Sequence, residues 1–286
     1  MRAWLKHPMR VSGRLIWLGA EFLLAALRYL LDCAFRPAGE LPAARAAWLQ
    51  YSSRRVLRIF GASVEVVGQV PASGLLVCNH LSYMDVLVLA ALSPCCFVAK
   101  SEVKHWPLLG WFSQCAGTIF VDRQKRARAL ATVNEIETAL DTGVTVVVFP
   151  EGTSSGGQTI LPFKSSLLEP AVRNGHSTVA GLLAYELEQG NVVEEVCYWK
   201  NMTLVPHLVN LLSKTSLRAS ACLARVQYRS ANRKEFALHL HSELSKLKYR
   251  SSLTSDEKQG LEISWHSGKP THALFVNTSG AGMKVV

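Results

Sequence analysis

Leu75-Leu76-Val77-Cys78-Asn79-His80-Leu81-Ser82-Tyr83-Met84-Asp85 begins as an apolar run and breaks into polar residues, and residues 86–92 then read Val-Leu-Val-Leu-Ala-Ala-Leu. The first run has the length of a buried strand, and the second suits a helix that starts at the turn. Open α/β sheets gather their sites where a strand ends and a helix begins. His80 falls in the turn and Asp85 in the first helical turn, so the carboxylate can fold back on the imidazole. There it would fix the tautomer and stabilise the cation that forms when the ring takes a proton. The spacing alone does not establish this, because a histidine beside a helix-start carboxylate is commonly only structural.

Short apolar runs separated by helical stretches continue outward from this unit. Strands are expected at 63–67, 75–78, 96–99, 118–121, 144–149 and 178–183, then at 195–199 and 217–227. Helices are expected at 127–140, closed by Gly143, and at 232–248. This rhythm predicts an α/β fold with a mixed, mostly parallel sheet and helices on its faces. Two further apolar runs end in polar groups, Gly117-Thr118-Ile119-Phe120-Val121-Asp122-Arg123 and Val148-Phe149-Pro150-Glu151-Gly152-Thr153. Arg123 offers a planar fork suited to phosphate or carboxylate, and Gly152 lets backbone N–H groups approach a ligand. Either residue alone would be an ordinary surface feature; three such ends in one sheet can converge.

Composition narrows the classes of partner. Hydrophobic residues make up 49% of the 286-residue chain and charged residues 18%, which argues against disorder. The net charge of +10 favours anionic partners: lipid headgroups, nucleic acid or phosphorylated substrates. Nucleic acid is disfavoured, since the basic cluster Arg123, Lys125, Arg126 and Arg128 has no aromatic stacking surface beside it. Seven cysteines with no C-x-x-C pair, in a chain large enough to fold without staples, read as reduced thiols. Neither the adjacent Cys95 and Cys96 nor the His239 and His241 pair has a second half at metal-site spacing, so no metal is expected.

Residues 15–35 read LIWLGAEFLLAALRYLLDCAF, and the fourteen before them carry Arg2, Lys6, Arg10 and Arg14 with no acid. Glu21, Arg28 and Asp32 interrupt the run, so a helix lying in the membrane interface competes with a spanning one and is the favoured reading. The segment 43–60 is a second amphipathic helix ending at Gly61, and its Arg45, Arg54, Arg55 and Arg58 suit an anionic bilayer. Three parts follow: membrane-associating helices at 1–60, a catalytic domain at 61–250 and a poorly ordered tail at 251–286.

The three strand ends together resemble the motifs of the lysophosphatidic-acid acyltransferase family of glycerolipid acyltransferases. N-H-x-x-x-x-D is Asn79 to Asp85, G-x-x-F-V-D-R is Gly117 to Arg123, and F-P-E-G-T is Phe149 to Thr153. The resemblance implies His80 as catalytic base with Asp85 as its partner. It also implies an acceptor site drawn from Asn79, Arg123, Glu151, Gly152, Thr153 and Lys164, with Arg123 on the headgroup phosphate. The reaction implied moves a fatty acyl group from acyl-CoA or acyl carrier protein to a lysolipid hydroxyl, with 1-acyl-sn-glycerol-3-phosphate as acceptor. A thioester is already activated, so neither a metal nor a redox cofactor is implied. The chain departs from the pattern at Ser154-Ser155, where family members often carry Arg, and at 179–183, which lacks the proline of the fourth motif. Together with Leu161-Pro162-Phe163-Lys164, that variant resembles bacterial enzymes that acylate lyso-ornithine lipid, the alternative acceptor. An enzyme of this kind works at a membrane with its site facing the cytoplasm, here expected to be a bacterial inner membrane. A rival reading makes Cys78 or Cys115 a nucleophile, giving a thioesterase or acyl-enzyme transferase, and another makes the chain an inactive membrane-binding relative.

Overall fold

A computed structural model describes residues 7–122, 126–228 and 230–252. Two long helices, α1 (Pro8–Asp32) and α2 (Leu41–Phe60), lead into the sheet domain. The chain continues through β1 (Ala62–Val67), β2 (Gly74–Cys78), α3 (Met84–Leu92), β3 (Cys95–Lys100), α4 (Leu109–Cys115) and β4 (Ile119–Val121). Then follow α5 (Arg126–Asp141), β5 (Thr145–Val148), α6 (Glu169–Asn174), β6 (Thr178–Leu187), α7 (Val192–Glu195), α8 (Leu204–Ser213), β7 (Leu217–Val226) and α9 (Arg233–Ser252).

The strands form one sheet in the order β1-β7-β6-β2-β5-β3-β4. From β6 to β4 all neighbours are parallel, whereas β7 runs antiparallel to β6 and carries β1 parallel to itself. The five parallel strands therefore all point to one edge of the sheet, where β2, β4 and β5 end. Helices cover both faces, which is why β2 and β5 are buried at every residue and read as unbroken apolar runs. Alternation along β2 splits the core: Leu76 and Cys78 pack with α2, α3 and α8, while Leu75 and Val77 pack with α5 and α9.

One expected strand is absent. Residues 192–195 form the helical turn α7, whose start is capped by the Asn191 side chain accepting from the N–H groups of Val193 and Glu194. The local cap outcompetes the β pattern, and the buried Val196 and Cys197 fill the core from an irregular segment. Helix α9 continues to Ser252, two residues past the expected domain edge at 250. The tail beyond it lies outside the described residues.

Four of the arginines that suit a membrane surface, Arg10, Arg14, Arg54 and Arg55, have partners inside the protein. Arg10 and Arg14 donate to the carbonyls of Ser213 and Leu212, capping the C-terminus of α8 at 2.9 and 3.0 Å. Arg54 does the same for α3 through the Ala91 carbonyl at 2.7 Å. Arg55 and Arg28 clasp Glu21, which is only 1% exposed, at 2.6 and 3.1 Å. The acid that interrupts the apolar run thus locks α1 to α2, and the Trp48 indole N–H adds a bond to the Ala25 carbonyl. The inward stripe of α1 is Val11, Leu18, Glu21 and Ala25. Its other side leaves Ile16 and Leu23 each 75% exposed, with Leu27, Leu30 and Leu31 alongside. Among the described residues, no helix is long and apolar enough to cross a membrane.

Candidate active site

The turn after β2 is held from three directions. Asn79 extends the pairing of β2 with β6 by one side chain: its amide donates to the Leu183 carbonyl at 3.0 Å and its oxygen accepts the Leu183 N–H at 2.7 Å. The His80 N–H donates to Glu151 at 3.0 Å, and the His80 carbonyl accepts from Ser155 N–H at 3.0 Å. Phe149 stacks on the imidazole with ring centres 4.2 Å apart. The loop after β5 therefore forms both a floor and a brace for His80.

Asp85 folds back as its spacing suggested. One oxygen accepts from His80 Nδ1 at 2.7 Å and from the N–H groups of Leu81 and Ser82 at 2.6 and 2.9 Å. The other accepts the Tyr185 hydroxyl at 2.6 Å. Asp85 is fully buried, whereas the His80 side chain is 23% exposed. A carboxylate on Nδ1 selects the tautomer whose Nε2 carries a lone pair.

The residues grouped as an acceptor site divide in the structure. Asn79 and Glu151 are buried with their polar atoms on backbone partners, the second Glu151 oxygen accepting Leu161 N–H at 3.1 Å. Through these bonds both residues brace the turn that carries His80. Burial pushes the Glu151 carboxyl above the usual range, while the bonds from His80 and Leu161 act the other way. Gly152 takes φ 71°, the left-handed region that favours glycine, and turns the chain back after Glu151. Thr153 is exposed on that loop, and so is Lys164, whose N–H donates to the Pro150 carbonyl at 2.8 Å. Arg123 lies outside the described residues; the strand that leads to it ends at the same edge.

Residues distant in sequence complete the surroundings. Tyr185 comes from the part of β6 that overhangs β2. Lys248 reaches from α9 to the Gly157 carbonyl beside Leu81. Tyr83 donates to or accepts from His207 Nδ1 at 3.0 Å, and the other ring nitrogen of His207 meets the Cys197 carbonyl at 3.2 Å. These partners sit on elements whose placement no local motif encodes.

Cys78 and Cys115, the residues of the rival nucleophile reading, are both buried. All seven are unpaired thiols and six are buried. Burial raises the Cys78 thiol far above its usual range, and its sulfur lies against Gly181 on β6. Cys115 packs with Ala25, Cys33 and Trp48 in the cluster under α1, its thiol pushed up to about 11. Replacing Cys78 and Cys115 together with Ala is expected to leave kcat/KM within about three-fold of the parent, since thiolates are the reactive form and neither residue forms one readily. Steady-state assays of the folded variant decide the matter, and a loss of two orders of magnitude would restore the acyl-enzyme route.

The fold and the His80–Asp85 pair are those expected of an α/β acyltransferase, and comparison with known proteins shows the family. The acyltransferase family profile matches residues 63–181. The lyso-ornithine lipid O-acyltransferase of Rhizobium meliloti is 30% identical over 79% of this chain and 84% of its own length. The 1-acyl-sn-glycerol-3-phosphate acyltransferase of Neisseria meningitidis is 38% identical over 48% of this chain and 55% of its own. In structure, the 1-acyl-sn-glycerophosphate acyltransferase PlsC of Thermotoga maritima matches with a TM-score of 0.61 at 17% identity, covering 93% of this chain and 100% of that one. The chain belongs to the acyltransferase family that contains these glycerolipid and ornithine-lipid enzymes, and it is an O-acyltransferase.

Proposed function

We propose that His80 takes the proton from a lysolipid hydroxyl as that oxygen attacks the thioester carbonyl of acyl-CoA or acyl carrier protein. The observation that carries this reading is the 2.7 Å bond between His80 Nδ1 and the buried Asp85, which leaves Nε2 basic. The C–O bond forms as the C–S bond breaks, and the departing thiolate recovers the proton from His80. Asn79, Glu151 and Gly152 position the loop; Thr153, Lys164 and Arg123 belong to the acceptor's side of the site.

Lyso-ornithine lipid is the acceptor we favour, with lysophosphatidic acid as the second reading. Where a cation for phosphate would follow Thr153, the Ser154 hydroxyl donates to the Tyr198 carbonyl and the Ser155 hydroxyl accepts from Gly157 N–H. Both are neutral and committed. The long alignment with the Rhizobium meliloti enzyme supports the same choice, and the 38% identity with the Neisseria meningitidis enzyme supports the second. Assay of both lysolipids with each labelled thioester tests it: kcat/KM at least about ten-fold higher for lyso-ornithine lipid is expected, and a preference for lysophosphatidic acid reverses the assignment.

Arg123→Ala is expected to raise the KM for the acceptor about ten-fold or more while changing that for the donor little, with Lys at the position restoring part of the loss. Equal effects on both substrates in a folded variant remove Arg123 from headgroup recognition. The outward apolar stripe of α1 supports docking in the membrane interface. Thioester donors are cytoplasmic molecules, which supports a site facing the cytoplasm at a bacterial inner membrane.

A further inference from the structure

Strand β6 is ten residues long and pairs with β2 only through Thr178 to Gly181, so its second half overhangs the turn that carries His80. In that overhang Leu183 clasps Asn79 through its backbone, and two residues on Tyr185 projects to the same side. The phenol is buried and its hydroxyl meets Asp85 Oδ1 at 2.6 Å. His80 and the two backbone N–H groups all lie on Oδ2, leaving Tyr185 alone on Oδ1 among the described residues.

We infer that Tyr185 is a positioning residue for the acyl transfer: by donating to Asp85 it holds the carboxylate in the plane His80 needs and sets the basicity of the imidazole. This rests on His80 acting as the general base. A hydrogen bond to the outer oxygen draws off part of the carboxylate charge, so an imidazolium beside it is stabilised less than it would be without the phenol. Burial together with the facing Asp85 keeps the phenol protonated, so it donates across the assay range. Buried and bonded to Asp85, Tyr185 acts on kcat and on pH dependence rather than on KM.

Besides His80, the titratable groups facing this assembly are Cys78 on β2, Tyr83 in the turn, Glu151 after β5 and Cys197 after α7, with Lys248 of α9 beyond Glu151. Burial keeps the thiols and the Tyr83 phenol neutral, that of Cys197 being pushed up to about 11. Burial raises the Glu151 carboxyl, so the acidic limb is assigned by following the His80 ring resonances by NMR.

The test is the pH profile of Tyr185→Phe in the full chain. The acidic limb of kcat/KM and the ring titration should both move up together. At the optimum kcat should fall about ten-fold, with both KM values unchanged within about two-fold. Site-specific 3-fluorotyrosine keeps the ring's shape and donates more strongly, so it should move the limb down, and it serves if the Phe variant does not fold. A limb that stays in place with kcat intact, or an unmoved limb in the fluorinated protein, overturns the inference. An active His80→Ala enzyme would remove the parent reading instead. An inactive one beside unaltered Tyr185 variants would remove only the part given to the tyrosine.

Discussion

His80→Ala should lower acyl transfer by roughly two to four orders of magnitude, the usual contribution of a positioned general base. The ring is partly exposed and its neighbours are held by other bonds, so circular dichroism and thermal melting should find the variant folded. Asp85→Asn should lose much of the same activity, because a neutral amide neither selects the Nδ1–H tautomer reliably nor stabilises the imidazolium. It also weakens the bonds that Leu81, Ser82 and Tyr185 make to the carboxylate. The double variant should be little worse than His80→Ala, since groups that act as a unit lose activity non-additively. Multiplying losses would mean separate roles. Near-normal transfer by folded His80→Ala to every lysolipid tried would make the dyad structural and end the mechanism.

Changing Leu23, Leu27, Leu30 and Leu31 together to Ser should weaken binding to anionic vesicles about a thousand-fold. Each of these exposed leucines gives up apolar area worth about 1 kcal/mol or more on entering the bilayer, so four together reach the roughly 4 kcal/mol that a thousand-fold represents. Stability should change little, because these side chains already face away from the core. Arg10→Gln and Arg14→Gln should show the opposite split: their guanidinium groups cap α8, so the melting temperature falls while vesicle binding changes less. Flotation with vesicles, with melting curves on each variant, separates the two. Undiminished binding of the quadruple variant would move the anchor away from this face.

The two outcomes for α1 show how far charge patterning reaches. The apolar run and its basic flank are legible as a membrane signal, but the direction each residue faces depends on what packs beside the helix. Glu21, an interruption in the linear pattern, becomes the lock between α1 and α2 because Arg28 and Arg55 arrive on either side of it. Arginines that fit a bilayer surface equally well fit unsatisfied helix carbonyls, and those carbonyls belong to α3 and α8, far along the chain. In place of the strand expected at 195–199 stand the last residue of the turn capped by Asn191 and the irregular segment after it.

The sequence by itself determined the α/β class, most of the strands and the order of the three polar strand ends. Runs buried on both faces must be apolar throughout, and His80 and Asp85 lie within one turn of each other, close enough for the backbone alone to bring them together. Only the tertiary structure decided that Glu151 and Asn79 brace the loop, that Phe149 floors the imidazole and that Tyr185 occupies the second oxygen of Asp85. Those contacts join residues some 70 to 100 positions apart. They exist because parallel pairing sets β5 and β6 on either side of β2 and points all three to one edge.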